Sequence, residues 1–421
     1  MRATETNAAA PPQFDLLLKG GHLIDPKNAI SERMDVAVAG ERIATVAKDI
    51  PTSQAQKTVD VSGLYVTPGL IDIHVHADPS HDYYGLVADA HSFSSGVTTV
   101  VDAGSMGGAD FCDFKCRVID KSKTRVLAFL NIVDIGMGGD FEQDVGRMEP
   151  ELAARTAHEY PEWIVGIKCA HYWTWQPWDE HHRPWDNVDR ALQAGELCHK
   201  PVMVDFWPRP PERSYADLIL HKLRPGDIHT HVFAQQFPIL DHDGRVNQIL
   251  LQARERGVIF DLGHGAGSFW FRNAVPAMEQ GFLPDSIGTD LHTGNVNGPV
   301  VNMQNVISKL LNMGVTLEDL IMRATVAPAR AIGRPELGNL DLGAVADIAV
   351  WQLREGRFGF TDCGKARMTG TQRLECVLTM RGGEVVFDPA GLTMPEWQKA
   401  PADYLVCRRP NGAPKTWVPP V

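Results

Sequence analysis

The chain has 421 residues, 44% of them hydrophobic and 22% charged, with a formal net charge of −12. That length calls for one large domain plus a smaller one, and the composition is that of a globular enzyme. The acidic balance without a Lys/Arg stripe argues against a nucleic-acid surface, and no apolar run of about 18 residues offers a membrane span.

The N-terminal M-R-A-T-E-T-N-A-A-A-P-P-Q lacks the apolar stretch of a secretory signal and reads as a disordered tail over residues 1–13. Three runs follow that pattern as antiparallel strands: F-D-L-L-L-K-G-G-H-L-I-D-P, D-V-A-V-A-G-E-R-I-A-T-V-A and K-T-V-D-V-S-G-L-Y-V-T-P. Gly-Gly, Ala-Gly and Ser-Gly punctuate them as turns. Near the other end A-D-I-A-V-W-Q-L and R-L-E-C-V-L-T-M-R-G-G-E-V-V-F behave alike. Residues 14–65 and 338–390 are therefore expected to form one small β-sandwich domain from both termini. The Pro-rich residues 391–421 are expected to run as an extended tail.

Between these ends, short apolar runs close on a polar residue again and again: His76, Asp102, Asn131, Lys168, Asp205, His231, Asp261 and Asp290. The intervals are 26, 29, 37, 37, 26, 30 and 29 residues, with stretches of helical periodicity such as V-N-Q-I-L-L-Q-A-R-E-R between them. Eight strand-then-helix units of about 30 residues are the arithmetic of a (β/α)8 TIM barrel over residues 66–337. In that fold catalytic residues lie at the C-terminal ends of the strands, where all eight polar residues fall. A doubly wound open sheet does not explain polar groups converging from so many strands.

Within I-D-I-H-V-H, His74 and His76 share one face because strand side chains alternate. Alone, such a pair is usually surface decoration. Placed on one rim with His231, Asp205 and Asp290, it offers the imidazole and carboxylate donors that suit zinc or a similar ion. Lys168 is the odd member. As a carbamate it could bridge two ions; as an ammonium it would pair with Asp205 and Asp290. The cysteines at 112, 116, 169, 198, 363, 376 and 407 are odd in number and form no CxxC pair. Neither a disulfide framework nor a structural zinc knot is expected, and a reducing cytoplasm fits best. Cys112 and Cys116 could share a metal if helical but read as ordinary thiols, and Cys169 should alternate away from Lys168.

These motifs resemble the amidohydrolase superfamily. P-G-L-I-D-I-H-V-H matches its first strand, G-I-K168 its carboxylated-lysine strand and S-I-G-T-D290 its last strand. G-D-I-H-T-H-V-F, F-D-L-G-H-G-A-G-S-F and T-D-L-H-T place the closest match in the deacetylase branch beside dihydroorotases, over about residues 14 to 390. The resemblance implies two divalent ions, most often zinc, bridged by carboxylated Lys168 and a hydroxide. His74, His76 and Asp290 would hold the buried ion, and His231 with the residue at 205 the outer one. Asp290 would shuttle the proton from the attacking hydroxide to the leaving group. Where the family carries histidine on strand five this chain has Asp205, a harder donor that should make the outer site more tolerant of manganese.

His264, in a G-H-G turn, is as readily a structural histidine as a substrate or oxyanion ligand; His292 and His229 are weaker candidates. His229 should share a face with His231 one layer deeper. The loop H-Y-W-T-W-Q-P-W-D-E-H-H-R-P-W (171–185) carries four of the ten tryptophans. With Trp207, Tyr172, Trp173, Trp175 and Trp178 would wall a pocket for a bulky apolar, aromatic or sugar-like group; a hydrophobic plug or subunit contact is the plainer alternative. The expected activity is hydrolysis of an amide or ester bond in a small acylated molecule. A cyclic-amide hydrolase is the runner-up, ahead of a deaminase or a barrel that binds without catalysing. A small-molecule substrate and a homo-oligomer are expected.

Overall fold

The computed structural model describes residues 12–80, 84–172 and 175–401, with two short strands at Cys407–Arg408 and Pro414–Lys415. The outer sheet takes β1 (Phe14–Asp25), β2 (Ile30–Ala39), β3 (Arg42–Ala47), β4 (Ala55–Asp60) and β5 (Tyr65–Pro68) from the N-terminal part. The parallel sheet follows: β6 (Leu70–Val75), β7 (Val97–Gly107), β8 (Arg125–Asn131), β9 (Ile164–Cys169), β10 (Val202–Val204), β11 (Ile228–His229) and β12 (Ile259–Phe260). The chain then returns to the outer sheet with β13 (Ile348–Thr361), β14 (Arg367–Arg381) and β15 (Glu384–Phe387).

The outer sheet is hydrogen-bonded as one eight-stranded sheet in the order β15-β14-β13-β5-β1-β2-β3, with β4 also on β1. Two expectations change here. The sandwich is one continuous sheet whose strands share a core of Leu18, Val36, Val66, Ile348 and Leu378. It is also mixed rather than antiparallel, because β4 and β5 both run parallel to β1. The cause is the Gly-Gly in β1. Gly20 adopts φ +81, and a β-carbon there would sit 2.6 Å from Ser62 Oγ. The resulting register break between Leu18 and Gly21 lets Phe14–Lys19 pair with β4 and His22–Leu23 with β5. Tyr65–Pro68 thus belongs to this sheet, and only Gly69 separates it from the parallel strands.

The parallel sheet runs β6 to β12 in sequence order. Segment 286–291 bridges its two edge strands. On one side Leu262 N donates to Ser286 O (3.0 Å) and His264 N to Gly288 O (3.1 Å). On the other, Asp290 N donates to His74 O (2.6 Å) and His76 N to Leu291 O (3.0 Å). Asp72 secures this junction by accepting from Thr289 N (3.0 Å) and Oγ1 (2.6 Å). Burial pushes its carboxyl up to about 7, against those bonds.

Each of the seven strands contributes to one apolar layer, including Ile73, Val101, Phe129, Val165, Met203, Ile228 and the partly buried Ile259. Ala329, Ala331, Ile332 and Leu337 pack against it. The larger core lies on the other face, under the helices. The helix Met303–Leu311 is typical: Asn302 caps it, and Met303, Val306, Ile307 and Leu310 form a buried i, i+3, i+4, i+7 stripe. Burying each such side chain contributes roughly 1.5–3 kcal/mol. Among the described residues no helix is long and apolar enough to cross a membrane.

Candidate metal centre

The polar residues gather at the C-terminal ends of the strands, above the apolar layer. His74, His76 and Asp290 have donor atoms within 4.8 Å of one another. Asp290 Oδ1 lies 3.1 Å from His76 Nε2 and 3.5 Å from His74 Nε2. Burial works to raise the Asp290 carboxyl, but His74, His76 and His231 outweigh it and hold it well below the carboxylate range. Burial, aided by Lys168, brings His74 down to about 3, so its imidazole is neutral.

Which nitrogen carries the proton follows from what stands behind each ring. Thr230 Oγ1 donates its one hydrogen to Asp261 Oδ2 (2.8 Å), so at 2.9 Å it can only accept from His74 Nδ1. Ser105 Oγ donates to Asp102 Oδ2 (2.8 Å) and accepts from His76 Nδ1 at 3.2 Å. His231 Nδ1 donates to Gly263 O at 2.6 Å. In all three the Nδ1 proton is held from behind and the Nε2 lone pair is left for a cation, the wiring of a metal-binding histidine. The donor set therefore fits a divalent ion.

Lys168 is 1% exposed. Its Nζ lies 3.3 Å from His74 Nε2 and 3.8 Å from Met203 Sδ, and among the described residues no carboxylate oxygen lies within 4 Å. The ion pair with Asp205 and Asp290 is thus not formed. Gly104, at φ +90, makes the space: a β-carbon there would stand 2.7 Å from Lys168 Cγ.

Asp205 stands farther out. Its Oδ2 is 3.7 Å from His231 Nε2 and 3.8 Å from His171 Nε2. Burial opposes its ionisation, but His231, His171 and Lys168 hold its pKa below the usual value. His231 reaches the site because its φ of +66 breaks the strand alternation, so Thr230 and His231 both face inward. The same break corrects the expected place of His229. Its ring packs 4.7 Å from Phe237 and 5.2 Å from Tyr215, in the core under the helices. Cys169 is buried in that same core, as its alternation predicts. Cys112 and Cys116 are exposed free thiols on the helix Phe111–Arg117.

His76, Asp205, His231 and Asp290 open into a cavity of about 790 Å³, also lined by Tyr172, Phe206, Trp207, His171 and His292. His292 Nδ1 accepts from Gly294 N (3.0 Å), which leaves its Nε2–H as the donor, and its ring meets Tyr84 edge-on at 5.3 Å. His264 does not line the cavity. It is fully buried, stacked on Phe269 at 4.5 Å, with Nε2 accepting from Lys309 Nζ at 2.6 Å.

The tryptophan loop is largely self-packed. Tyr172, Trp178 and His182 stack at 4.2–6.0 Å, and Trp175 is 69% exposed. Trp178 is therefore part of a plug, while Tyr172 and Trp207 line the cavity; Trp173 lies outside the described residues. A second depression, of about 870 Å³, is lined by Lys200, Arg224, Asp227 and Ile259 at the opposite strand ends and holds none of these donors.

Sequence reasoning named the donors but missed what holds them. Asp102 and Asp261 were visible as strand-end residues, and the structure gives them the task of orienting His76 and His74. Thr230, Ser105, Glu142 and His171 carried no signal, since a hydroxyl or a loop residue has no period to betray it.

Comparison with known proteins agrees with this geometry. A family model described as the amidohydrolase family matches residues 271–386. A deacetylase of Enterococcus faecalis is 30% identical over 377 residues, covering 88% of this chain and 99% of that protein. The crystal structure of an adenine deaminase superposes with a TM-score of 0.79 at 28% identity, covering 88% of this chain and 99% of that one. The crystal structure of a dihydroorotase superposes with a TM-score of 0.77 at 27% identity, covering 89% and 97%. The chain belongs to the amidohydrolase family. It is a metal-dependent hydrolase, acting on carbon–nitrogen bonds other than peptide bonds.

Proposed function

We propose that this enzyme removes an acyl group from a small molecule by hydrolysing an amide or ester bond, in the manner of a deacetylase. Residues 66–337 form its closed (β/α)8 barrel, and 14–65 with 338–390 its supporting domain. The observation that carries the reading is the trio His74, His76 and Asp290, of which His76 and Asp290 line a 790 Å³ cavity. Two divalent ions, zinc or manganese, would be held by His74, His76, Asp290, Asp205, His231 and carboxylated Lys168. Bound there, they would supply a nucleophile at neutral pH and polarise the scissile carbonyl.

The chain's own residues do the rest. The Asp290 carboxylate can take a proton at Oδ1 or Oδ2 and return it to the leaving nitrogen or oxygen. Its backbone cannot swing away, because its N–H donates to His74 O (2.6 Å) and Asn295 Nδ2 donates to its carbonyl (2.5 Å). The Nε2–H of His292 is placed to donate to a substrate acceptor. Tyr172, Phe206 and Trp207 offer flat apolar walls, and the cavity volume is that of a site for a ligand larger than an acetylated amino acid.

Cyclic-amide hydrolysis is the second reading, favoured by the likeness to the dihydroorotase. Metal-loaded enzyme assayed against N-acyl amino acids, acyl esters and cyclic ureides separates the two. Turnover of bulky N-acyl or ester substrates is expected, and turnover of cyclic ureides alone would replace the first reading by the second.

A further inference from the structure

His171, on the loop after β9, is held from behind at Nδ1 as the three metal-site histidines are. Burial works to lower its pKa, but Glu142 on one side and Asp205 on the other raise it to about 9, so an ion bound there would displace its Nε2 proton. Glu142 Oε2 lies 3.0 Å from its Nδ1 and can only accept, so the Nδ1 proton is held from behind and Nε2 faces Asp205. Glu142 is fully buried. Its Oε2 also accepts from Gly138 N (3.1 Å) and Gly139 N (3.3 Å), and its Oε1 has no hydrogen-bond partner among the described residues. A carboxylate buried with one oxygen unpartnered is costly unless it serves a cation nearby. A carboxylate that takes the imidazole Nδ1–H and so aims Nε2 forward is the arrangement that orients metal-bound histidines.

The backbone points the same way. Gln143 Nε2 donates to His171 O at 2.5 Å, and His171 has φ +47. His231 (φ +66) and Asp290 (φ +51) share this left-handed conformation, which is unfavourable for a non-glycine residue. All three line the cavity.

We infer that His171 is a ligand of the outer ion, supplying the imidazole that strand five, ending in Asp205, does not provide. This rests on the two-ion reading above. Asp205 Oδ2 has His231 Nε2 at 3.7 Å on one side and His171 Nε2 at 3.8 Å on the other. Donors about 2.0–2.2 Å from one tetrahedral ion stand roughly 3.3–3.5 Å apart, so the two pairs that include Asp205 need to close by a few tenths of an ångström, while His171 and His231, whose donors are not within 4.8 Å of each other, must approach further. His171 and His231 are gathered around Asp205 rather than already around a common point, unlike the inner trio, and the loop bearing His171 would draw in on loading. A soft imidazole beside Asp205 also keeps the outer site suited to zinc as well as manganese.

Metal content measured by mass spectrometry, with the visible spectrum of the cobalt-loaded protein, tests this without reference to turnover. Wild type should hold two ions, and His171→Ala one, with loss of the outer-site part of the cobalt spectrum. Glu142→Gln should keep both ions but bind the second about 10–100-fold more weakly. If His171→Ala does not fold, His171→Asn is read the same way. Two ions held at unchanged affinity, with an unchanged cobalt spectrum, in either variant would overturn the inference and leave the two-ion reading standing. A wild type holding one ion would overturn both, and that count alone tells the two failures apart.

Discussion

His74, His76 and Asp290 sit on neighbouring backbone segments joined by direct hydrogen bonds, whereas Asp205, His231 and His171 follow three different strands and approach one another only through loops. The inner trio is already gathered to within 4.8 Å. The outer group is spread around a single carboxylate. The difference teaches that the inner half is fixed by the strand ladder itself, with the ring orientations set by Thr230–Asp261 and Ser105–Asp102. The outer half depends on two residues in left-handed conformations and on a buried glutamate. Perturbing the inner half should therefore abolish activity, and perturbing the supports should weaken it by steps.

The largest effect is expected from Asp290→Asn, which keeps the size of the side chain but removes the proton acceptor. Its kcat should fall about 10³-fold, the scale of a lost general base. Circular dichroism would verify that the fold survives, and a kcat within tenfold of wild type would break the inner-half assignment. A smaller effect is expected from Asp261→Asn. This variant no longer fixes the Thr230 hydrogen, so His74 loses its preferred tautomer; affinity for the first ion should drop about 10–100-fold in chelator competition. Asp102→Asn should act likewise through Ser105 and His76.

How much of this was legible in sequence follows from where each residue lies. His74, His76, Lys168, Asp205, His231 and Asp290 all end apolar runs, and the regular spacing of those runs placed them on one rim before any coordinates. The β-rich ends were legible too, by alternation and glycine turns. The mixed pairing of β1 was not, because a register break at Gly20–Gly21 is a long-range outcome. His264 and His229 misled for a related reason: both occupy strand-end positions, yet His229 faces the helix-side core while the φ of +66 turns only His231 inward, and His264 is buried against Phe269. Glu142 lies in the short 3-10 helix Gly139–Gln143 and His171 in a loop, and only the folded chain brings the two together.

The smallest effect concerns a region outside both halves. Burial lowers Lys309, which donates to His264 Nε2, Pro299 O and Thr361 O, to about 7 from an ordinary 10.5. Between those values the unfolded chain binds more protons than the folded one, so this group makes stability rise with pH and imposes its full penalty below about 7. Lys309→Met should flatten that rise. Urea midpoints at several pH values across the window would measure it, and an unchanged slope would mean that the ammonium stays charged in its buried site.

The central claim is that the strand-end cluster holds two ions in unequal halves. Metal content per chain, determined on wild type and Asp205→Ala purified without chelator, tests it most directly. Two ions in the wild type falling to one in Asp205→Ala is the predicted result, while one ion in both proteins, or none in the wild type, would contradict it.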